Sequence, residues 1–320
     1  MRGRLTAIYG AKKGIIKQTP FLHNSLFSCT LCGLCEVECP PGVKSIEVME
    51  ALRSDVTSIL GFNPPHERLL SNLRVKGHPY SDPIPLKYHI TKQESEIAYF
   101  PGCTAIFRLP HIIQKTLTIL RMISNSEVAL LHGCCGGIAK RIGALEIFND
   151  VKHRIEELLN NSEIKELIVT CAGCYSTLTK YYSLGKIKVK HISVFLCDFS
   201  NLPFKQSMKG KVAYHDPCHL GRHSNIYEEP RHVITNLAKM ELVEFKDNRE
   251  KAVCCGGGGG LMSAFRELAE QIAFNKLKQL SKLNVSKLVT ACPFCELNFR
   301  EAIRRHNMQI EILDIVETLI

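Results

Sequence analysis

The sequence predicts an α/β protein in which two duplicated, Rossmann-like domains follow a small all-helical domain. Three observations support this prediction: a five-cysteine pattern that occurs twice, strand-like segments that alternate with helical ones from about residue 95 onward, and a compact cysteine run followed by apolar residues at helical spacing between residues 20 and 60. Alternating strands and helices are typical of parallel sheets, because a parallel connection needs a crossover that a helix supplies.

Changes in composition place the predicted boundaries. Residues 1–61 are expected to form the helical domain, and residues 94–204 and 205–320 the two α/β domains. Residues 62–93 show little periodicity and are interpreted as an extended linker. This linker contains five of the chain's prolines: Pro64, Pro65, Pro79, Pro83 and Pro85.

Within the α/β domains a predicted strand leads into each cysteine element. The expected strands are 96–100, 127–131, 166–170, 211–214, 252–253 and 287–290. A helix is expected from Pro110 to about Ser124, because proline is favoured in the first helical turn. Ligands of open α/β sheets bind beyond the carboxyl ends of the strands, so the cysteines lie where a cofactor is expected.

The repeated pattern is a lone cysteine, an adjacent pair and Cys-x-x-Cys. The first copy consists of Cys103, Cys134, Cys135, Cys171 and Cys174, and the second of Cys218, Cys254, Cys255, Cys292 and Cys295. Equivalent cysteines are offset by 115, 120 and 121 residues, which indicates a large duplication rather than a short-period repeat. Five thiols from three points of a fold indicate a metal site that transfers electrons or performs sulfur chemistry.

One thiol of each set is surplus, because a four-iron cubane needs four terminal thiolates. The surplus thiol bridges two metals, stands by as a reactive group or is released in turnover, so Cys134, Cys135, Cys254 and Cys255 are candidate catalytic residues. Neighbouring side chains in extended backbone point to opposite sides. Both thiols of a pair therefore face one cofactor only where the chain turns sharply.

Glycines supply such turns directly after both pairs. The candidate cofactor-binding glycines are Gly136, Gly137, Gly256, Gly257 and Gly258. Their N–H groups, and the positive end of a helix expected to begin near Leu261, suit an anionic cluster. A phosphate loop is the alternative, but neither the Walker pattern nor the dinucleotide fingerprint fits. Metal-free thiol redox chemistry would explain the Cys-x-x-Cys pairs but not the adjacent cysteines.

Cys29, Cys32, Cys35 and Cys39, followed by proline, have the spacing of the bacterial-ferredoxin run that holds a 4Fe-4S cluster. Zinc is the alternative, although a four-ligand zinc site does not require three cysteines spaced three residues apart. In two-cluster ferredoxins the fourth cysteine serves the other cluster, and this sequence has no second run. Cys39 therefore binds the same cluster or is replaced by a remote ligand. Cys197 is the unassigned cysteine, and its favoured interpretation is a small buried residue.

Charge and cysteine content bound the remaining functions. No run approaches the roughly 18 apolar residues of a membrane span, and Met1–Lys17 lacks a secretory core, so a cytoplasmic location is predicted. In that reducing compartment 15 cysteines favour metal binding over disulfides. The net charge of +10 is dispersed, so no nucleic-acid partner is expected. A basic surface suits an acidic partner or an anionic substrate.

Polar residues surround Cys218 in the sequence. His215, His219, Arg222 and His223 are interpreted as groups that donate protons to a leaving thiolate or bind a substrate carboxylate. The alternative for His215 and His219 is that they hydrogen-bond the loop. His219 is the candidate catalytic residue among them.

The motifs resemble those of the cysteine-rich CCG domain family. The segments that carry the resemblance are Tyr99–Cys103, Asp216–Arg222, Cys254–Gly258 and Cys292–Cys295. From about residue 25 to 320 the whole set resembles a fusion of the C and B subunits of heterodisulfide reductase, as in its D subunit. Iron-sulfur subunits of glycolate oxidase and of anaerobic glycerol-3-phosphate dehydrogenase have a similar arrangement.

This resemblance implies a ferredoxin-like 4Fe-4S cluster and two non-cubane 4Fe-4S clusters, one per five-cysteine set. It also implies that the paired clusters bind a disulfide and cleave it in one-electron steps, with a flavoprotein or another electron-transfer subunit as partner. The ferredoxin-like part of the family normally has two cysteine runs, whereas this sequence has one. A separate protein is therefore expected to supply the electrons.

The leading hypothesis is an iron-sulfur oxidoreductase subunit that transfers electrons to or from a disulfide or small sulfur compound. The alternative is an electron-transfer subunit of a flavin-dependent 2-hydroxyacid dehydrogenase, of glycolate or lactate type, or of a glycerol-3-phosphate dehydrogenase. A third hypothesis is a zinc-stabilised scaffold. No transmembrane segment is expected, and peripheral docking to a membrane partner is compatible with the sequence.

Overall fold

The computed structural model describes residues 1–17, 19–92, 94–124, 127–199, 204 and 210–320. Its N-terminal part is helical, with α1 Arg2–Lys12, α2 Pro20–Phe27, α3 Leu34–Val37, α4 Ser45–Leu60 and α5 Pro64–Lys76. Among the helices of the described residues, none combines the length and the apolar character needed to cross a membrane.

The first sheet has five strands. They are β1 His89–Ile90, β2 Ile97–Phe100, β3 Ala129–His132, β4 Glu166–Val169 and β5 Lys188–His191. Their order is β1-β3-β2-β4-β5, and every pairing is parallel except that of β1 with β3. The helices of this half are α6 Gly102–Arg108, α7 Pro110–Ser124, α8 Gly137–Ile142, α9 Leu145–Asn160, α10 Ala172–Tyr181 and α11 Ile192–Cys197.

The second sheet repeats the first. Its strands are β6 Lys211–His215, β7 Glu241–Val243, β8 Lys287–Thr290 and β9 Glu311–Asp314, all parallel, in the order β7-β6-β8-β9. Without β1, the first sheet has the same order. The helices of this half are α12 Glu228–His232, α13 Leu261–Ala264, α14 Arg266–Leu277 and α15 Pro293–His306. The predicted α/β class with parallel sheets is therefore confirmed.

Helix α7 begins at Pro110 and ends at Ser124, as its sequence predicts. Its buried side chains are Ile112, Thr116, Ile119 and Leu120, which recur at the spacing of one helical face. Buried apolar residues of both halves belong to one continuous core, which also takes in Phe27 and Met49 of the N-terminal helices. The three parts of the chain thus pack against each other.

The prediction of an extended linker over residues 62–93 is wrong for much of that segment. Helix α5 occupies Pro64–Lys76, and β1 adds an antiparallel strand to the first sheet. Two prolines start α5 without cost, because the first helical N–H groups have no intrahelical partner. Leu69, Leu70 and Leu73 bury one face of the helix.

The strand predicted at 252–253 is also wrong. The strand that leads toward the second cysteine pair is β7, Glu241–Val243, and residues 249–251 form a 3-10 turn between the two. A two-residue apolar segment carries too little pattern to locate a strand. The helix expected near Leu261 is a single turn, α13. The boundary predicted between residues 204 and 205 falls beside 200–203 and 205–209, which lie outside the described residues.

Candidate functional site

The cysteine elements follow the carboxyl ends of the central strands. In each Cys-x-x-Cys motif the first cysteine is the N-cap of a helix, Cys171 of α10 and Cys292 of α15, and both N-caps have extended backbone. The side chains at the N-cap and three residues later lie close together, as in a capping box. This local geometry brings Cys174 beside Cys171 and Cys295 beside Cys292.

The first five-cysteine set converges. The Sγ atoms of Cys103 and Cys134 are 3.6 Å apart. The side chain of Cys135 contacts those of Cys134 and Cys174, and Cys174 contacts Cys171. The thiols of this set therefore form one connected group.

The second set converges in the same way. The side chain of Cys254 contacts those of Cys218 and Cys255, and Cys295 contacts Cys255 and Cys292. The two copies of the sequence pattern thus produce two equivalent groups of thiols.

Both groups face one central cavity of about 190 Å³. Among the described residues, its lining includes all five thiols of the first set and four of the second, with Cys254 as the exception. The side chain of Cys171 in the first set contacts that of Cys292 in the second. A molecule in this cavity would touch both sets at once.

The N-terminal run lines a separate open cavity of about 460 Å³. Its lining includes Cys29, Cys32 and Cys35, whereas Cys39 is not among the described lining residues. Leu268 also belongs to this lining, and its side chain is 42% exposed. The side chain of Cys32 contacts that of Cys254, so the N-terminal run adjoins the second set.

Cys197 lies in α11, and its thiol donates to the carbonyl oxygen of Ser193 over 3.2 Å. A second contact of 3.7 Å joins its sulfur to the carbonyl oxygen of Glu229. Burial raises the pKa of Cys197 to about 11. These contacts fit a small packed residue better than a ligand of the N-terminal run.

Three buried thiols have a pKa well below the ordinary value. Hydrogen bonds from Cys134, Cys254 and Cys171 respectively lower the pKa of Cys135, Cys255 and Cys292. Cys134, which donates to Cys135, shows the opposite change: contact with Cys103 raises its pKa. A lowered pKa favours the thiolate, which is the form that binds metal.

Glycine backbone surrounds the thiols closely. The N–H of Gly256 donates to Sγ of Cys254 over 3.3 Å, and that of Gly257 to Sγ of Cys255 over 3.4 Å. A Cβ at Gly102, where φ is +74°, would lie 3.0 Å from Sγ of Cys174. Gly258 lines the central cavity, and Gly137 donates through its backbone to Cys135. Gly136 makes the left-handed turn before α8.

The histidines near Cys218 take different positions. His219 lines the central cavity, and its Nδ1 lies 3.1 Å from Nδ1 of His223. Burial lowers the pKa of His219 well below its usual value, so the ring is neutral. His215 is buried against Cys255 and Cys295, and neither of its ring nitrogens has a hydrogen-bond partner among the described residues.

Arg222 does not reach the cavity. Its guanidinium donates to the carbonyl oxygens of Cys32, Glu250 and Ala252, at 2.6, 3.0 and 2.7 Å. It therefore holds the N-terminal run against the second half, and its interpretation as a substrate ligand stays a prediction.

Sequence reasoning missed several polar groups of the cavity, among them Tyr80 and Arg141. Tyr80 lies in the supposed linker, and its hydroxyl is 2.7 Å from Oγ1 of Thr104. Arg141 donates to the carbonyl oxygen of Gly173 and to Oγ1 of Thr177, at 3.2 and 3.0 Å. No spacing signal marks Tyr80, whereas Arg141 stands one helical turn after the glycines that follow Cys135.

The donor chemistry fits iron-sulfur clusters. Soft thiolates in sets of five, approached by backbone N–H groups and glycines, are the ligands that such clusters use. A neutral buried imidazole with unpartnered nitrogens beside Cys255 and Cys295 adds a polar group that a cluster sulfide or iron would satisfy.

A model of the cysteine-rich domain, CCG, matches residues 97–179 and 212–300, which is more than half of the chain. The chain belongs to the CCG cysteine-rich domain family. The two matched segments cover the cysteine sets from Cys103 to Cys174 and from Cys218 to Cys295. The two five-cysteine sets are thus the two CCG sets of the chain.

Several curated proteins are similar over nearly the whole chain. The D subunit of dihydromethanophenazine:CoB–CoM heterodisulfide reductase from Methanosarcina acetivorans is 30% identical, over 96% of this chain and 82% of that protein. One subunit of the fumarate reductase (CoM/CoB) of Methanothermobacter marburgensis is 30% identical, over 93% and 62%. An uncharacterized iron-sulfur protein of Methanocaldococcus jannaschii is 28% identical, over 94% and 63%.

The chain thus spans less than two thirds of the length of the last two relatives. Among solved structures, a hypothetical protein from Helicobacter pylori has the same fold, with a TM-score of 0.63 at 12% identity, over 98% of this chain and 65% of that one.

Proposed function

We propose that this chain is an iron-sulfur oxidoreductase subunit of the heterodisulfide-reductase type, which transfers electrons to or from a disulfide or small sulfur compound. One observation supports this most strongly: thiols of both CCG sets line a single cavity and meet at Cys171 and Cys292. Such a cavity suits a substrate with two sulfur atoms, because each CCG set can bind one of them.

The proposed metal ligands are the five thiols of each CCG set and, in a small ferredoxin-like N-terminal domain of residues 1–61, Cys29, Cys32 and Cys35. Cys39 is the proposed fourth ligand of the N-terminal set. Cys254 of the second CCG set is the other thiol near this set, because it contacts Cys32. The N-terminal cluster is proposed as a 4Fe-4S cubane and the other two as non-cubane 4Fe-4S clusters. When bound, these groups supply one-electron transfer and affinity for sulfur.

The chain's own residues would bind and orient the substrate. Arg141 offers the cavity a fixed positive charge, which suits a carboxylate, sulfonate or phosphate on the substrate. The Tyr80 hydroxyl and the His219 ring lie at the first and second sets respectively, where each can donate a hydrogen bond to a departing sulfur. Leu69, Ile138 and Phe294 make the rest of the lining apolar and exclude water.

The alternative, electron transfer for a flavin-dependent dehydrogenase, draws support from the contact of Cys32 with Cys254. That contact joins the N-terminal run to a CCG set, as a conduit requires. In either case we propose a flavoprotein or other electron-transfer subunit as partner, a cytoplasmic location, and CCG domains at residues 94–204 and 205–320.

Metal analysis of anaerobically prepared protein tests the proposal first. Three four-iron clusters give about twelve irons with matching acid-labile sulfide. Zinc without sulfide would refute both redox functions and support a scaffold.

A titration with low-molecular-weight disulfides separates the two redox functions. A disulfide substrate should produce a new paramagnetic signal that Cys255→Ser abolishes and that Cys197→Ser, the matched control, retains. Full iron content with no signal from any disulfide tested would favour the conduit.

A further inference from the structure

We propose that a basic surface pocket beside Tyr88 is the docking site of an acidic electron-carrier protein that delivers electrons to the first CCG set. The name basic pocket is used here for the surface formed by Arg74, Lys76, Lys87, Tyr88 and Arg154. The proposal rests on the function proposed above, because a carrier requires a redox group behind the pocket.

Charge distinguishes this pocket. It is open, has a volume of about 460 Å³, and combines four cationic side chains with one lining carboxylate, Glu157. Arg74 also pairs with the exposed Glu146 at 3.7 Å, so two carboxylates stand against four cations. Lys87 and Arg154 are exposed, and the side chain of Arg74 is 59% exposed. Cations clustered on a surface attract an acidic partner and raise its association rate.

Apolar side chains at the same place favour a protein over a small anion. Val75 lines the pocket and is 77% exposed, and Ile84, next to the lining residue Pro85, is 67% exposed. A small anion would leave these side chains in water. A protein partner covers them while its carboxylates meet the surrounding lysines and arginines, which is the usual arrangement of apolar centre and polar rim.

Tyr88 connects the pocket to the first CCG set. One face of its ring lies in the pocket, beneath the guanidinium of Arg154 at 5.8 Å from the ring centroid. A Cβ at Gly133 would lie 2.8 Å from the ring, so the ring packs directly on the backbone of Gly133. The next residue is Cys134, which is buried. One aromatic side chain and one peptide unit therefore separate the carrier's surface from a cluster ligand.

The location of the basic pocket gives each CCG set its own route for electrons. The N-terminal run adjoins the second set through Cys32 and Cys254, whereas the basic pocket adjoins the first set through Tyr88 and Gly133. In each transfer the reduced carrier would lose one electron and become oxidised, and a cluster held by the thiols of the first set would accept that electron. Two transfers supply the two electrons that cleavage of one disulfide requires.

Binding of an acidic bacterial ferredoxin to the iron-loaded full chain tests the docking site. Surface plasmon resonance at about 50 mM and about 300 mM NaCl should show at least about tenfold weaker binding at the higher salt. The double variant K87E/R154E should weaken binding at least about tenfold at low salt, mainly through the association rate. The double variant K246E/K282E makes the same charge change on the second half and should stay within about twofold of the wild type.

The apolar contribution has its own variant. Val75→Ser keeps every charge and should raise the dissociation rate, because the partner loses an apolar contact. Inorganic phosphate at constant ionic strength should not displace the ferredoxin. Displacement by phosphate, or equal weakening in the two double variants, would refute a protein docking site here.

Iron and sulfide content separates the two proposals. Wild-type iron content in K87E/R154E shows that the variant is folded and loaded, so unchanged ferredoxin binding would overturn the docking site alone. A wild-type chain that holds no iron-sulfur cluster would instead overturn the proposed function.

Discussion

Arg53 donates a hydrogen bond over 2.7 Å to the carbonyl oxygen of Gly259, although 206 residues separate them in the chain. The same guanidinium donates to the carbonyl oxygens of Leu26, Cys29 and Arg141, at 2.8, 2.6 and 2.9 Å. Its side chain is fully buried, and burial lowers its pKa to about 10, so it stays charged near neutral pH. One cation thus joins the N-terminal helices to both CCG halves.

Arg53→Met should lower the free energy of unfolding by about 3 kcal/mol or more, because four buried carbonyl oxygens lose their donor. Urea unfolding of the iron-loaded protein measures the change. Arg74→Met is the matched control: its side chain is 59% exposed and should cost no more than about 0.5 kcal/mol. Equal effects of the two substitutions would contradict the joining role of Arg53.

Gly259→Ala should disturb the contact between the second CCG half and the N-terminal run. Gly259 has a φ of +62°, and a Cβ there would lie 2.6 Å from the carbonyl oxygen of Cys29. The left-handed backbone alone costs an alanine about 1–2 kcal/mol, and the overlap adds to it. We expect lower stability and loss of the iron held by the N-terminal run.

Gly257→Ala is the control within the same loop. A Cβ there would meet Phe294 at 3.3 Å, and no left-handed backbone is involved. This variant should keep its iron and lose less than about 1 kcal/mol. If it lost as much iron as Gly259→Ala, backbone strain and the contact with Cys29 would not be the cause.

Arg141→Met should lower the reduction potential of the cluster proposed for the first set. After the hydrogen bonds from Cys134 and Cys174, the charge of Arg141 helps to lower the pKa of Cys135, so it stabilises negative charge there. A shift of about −60 mV corresponds to a tenfold change for a one-electron couple. Potentiometric titration followed by electron paramagnetic resonance gives the value. Arg121→Met, an exposed position on α7, should leave the potential unchanged.

The buried Lys276 should make the free energy of unfolding increase in mild alkali. It is 1% exposed, its Nζ lies 3.4 Å from the ring centroid of Phe245, and burial lowers its pKa to about 8. Its unfolded-state pKa is about 10.4, so between pH 8 and 10.4 the unfolded chain binds more protons than the folded one. Stability should therefore increase over that window, by up to about 3 kcal/mol.

Lys276→Met should remove this pH dependence and should be the more stable protein at pH 7. Lys278→Met, at an exposed neighbouring position, should keep the wild-type dependence. Urea unfolding at pH 7, 8.5 and 10 compares the three proteins. A flat wild-type profile over that range would show that Lys276 is charged and solvated in the folded state.

Cys254→Ser should alter two paramagnetic signals, because Cys254 contacts both Cys218 of its own set and Cys32 of the N-terminal run. We expect loss of the cluster proposed for the second set and a shifted signal from the N-terminal one. Cys295→Ser, which removes a thiol that contacts Cys255 and Cys292 of its own set, should affect the second set alone. An unchanged N-terminal signal in Cys254→Ser would contradict coupling through this contact.

The sequence by itself determined many of the elements and the grouping of the cysteines. Cysteine spacing and strand-helix alternation are local properties, so the duplication, helix 110–124, strand 287–290 and the convergence of each five-cysteine set could be predicted. The residues 62–93 show the limit of such reasoning. The proline content of this segment suggested a linker and so concealed α5. Prolines in the first turn of a helix do not disrupt it, and a count of prolines does not show where in a helix they lie.

Only the tertiary structure decided which sets meet. The shared cavity, the contact of Cys171 with Cys292, the contact of Cys32 with Cys254, and the four carbonyl oxygens on Arg53 depend on how the two sheets and the N-terminal helices pack. Those contacts join residues from about 25 to more than 220 positions apart, and no periodicity along the chain records such distances. Packing of apolar faces fixes them, and it is a property of the folded whole.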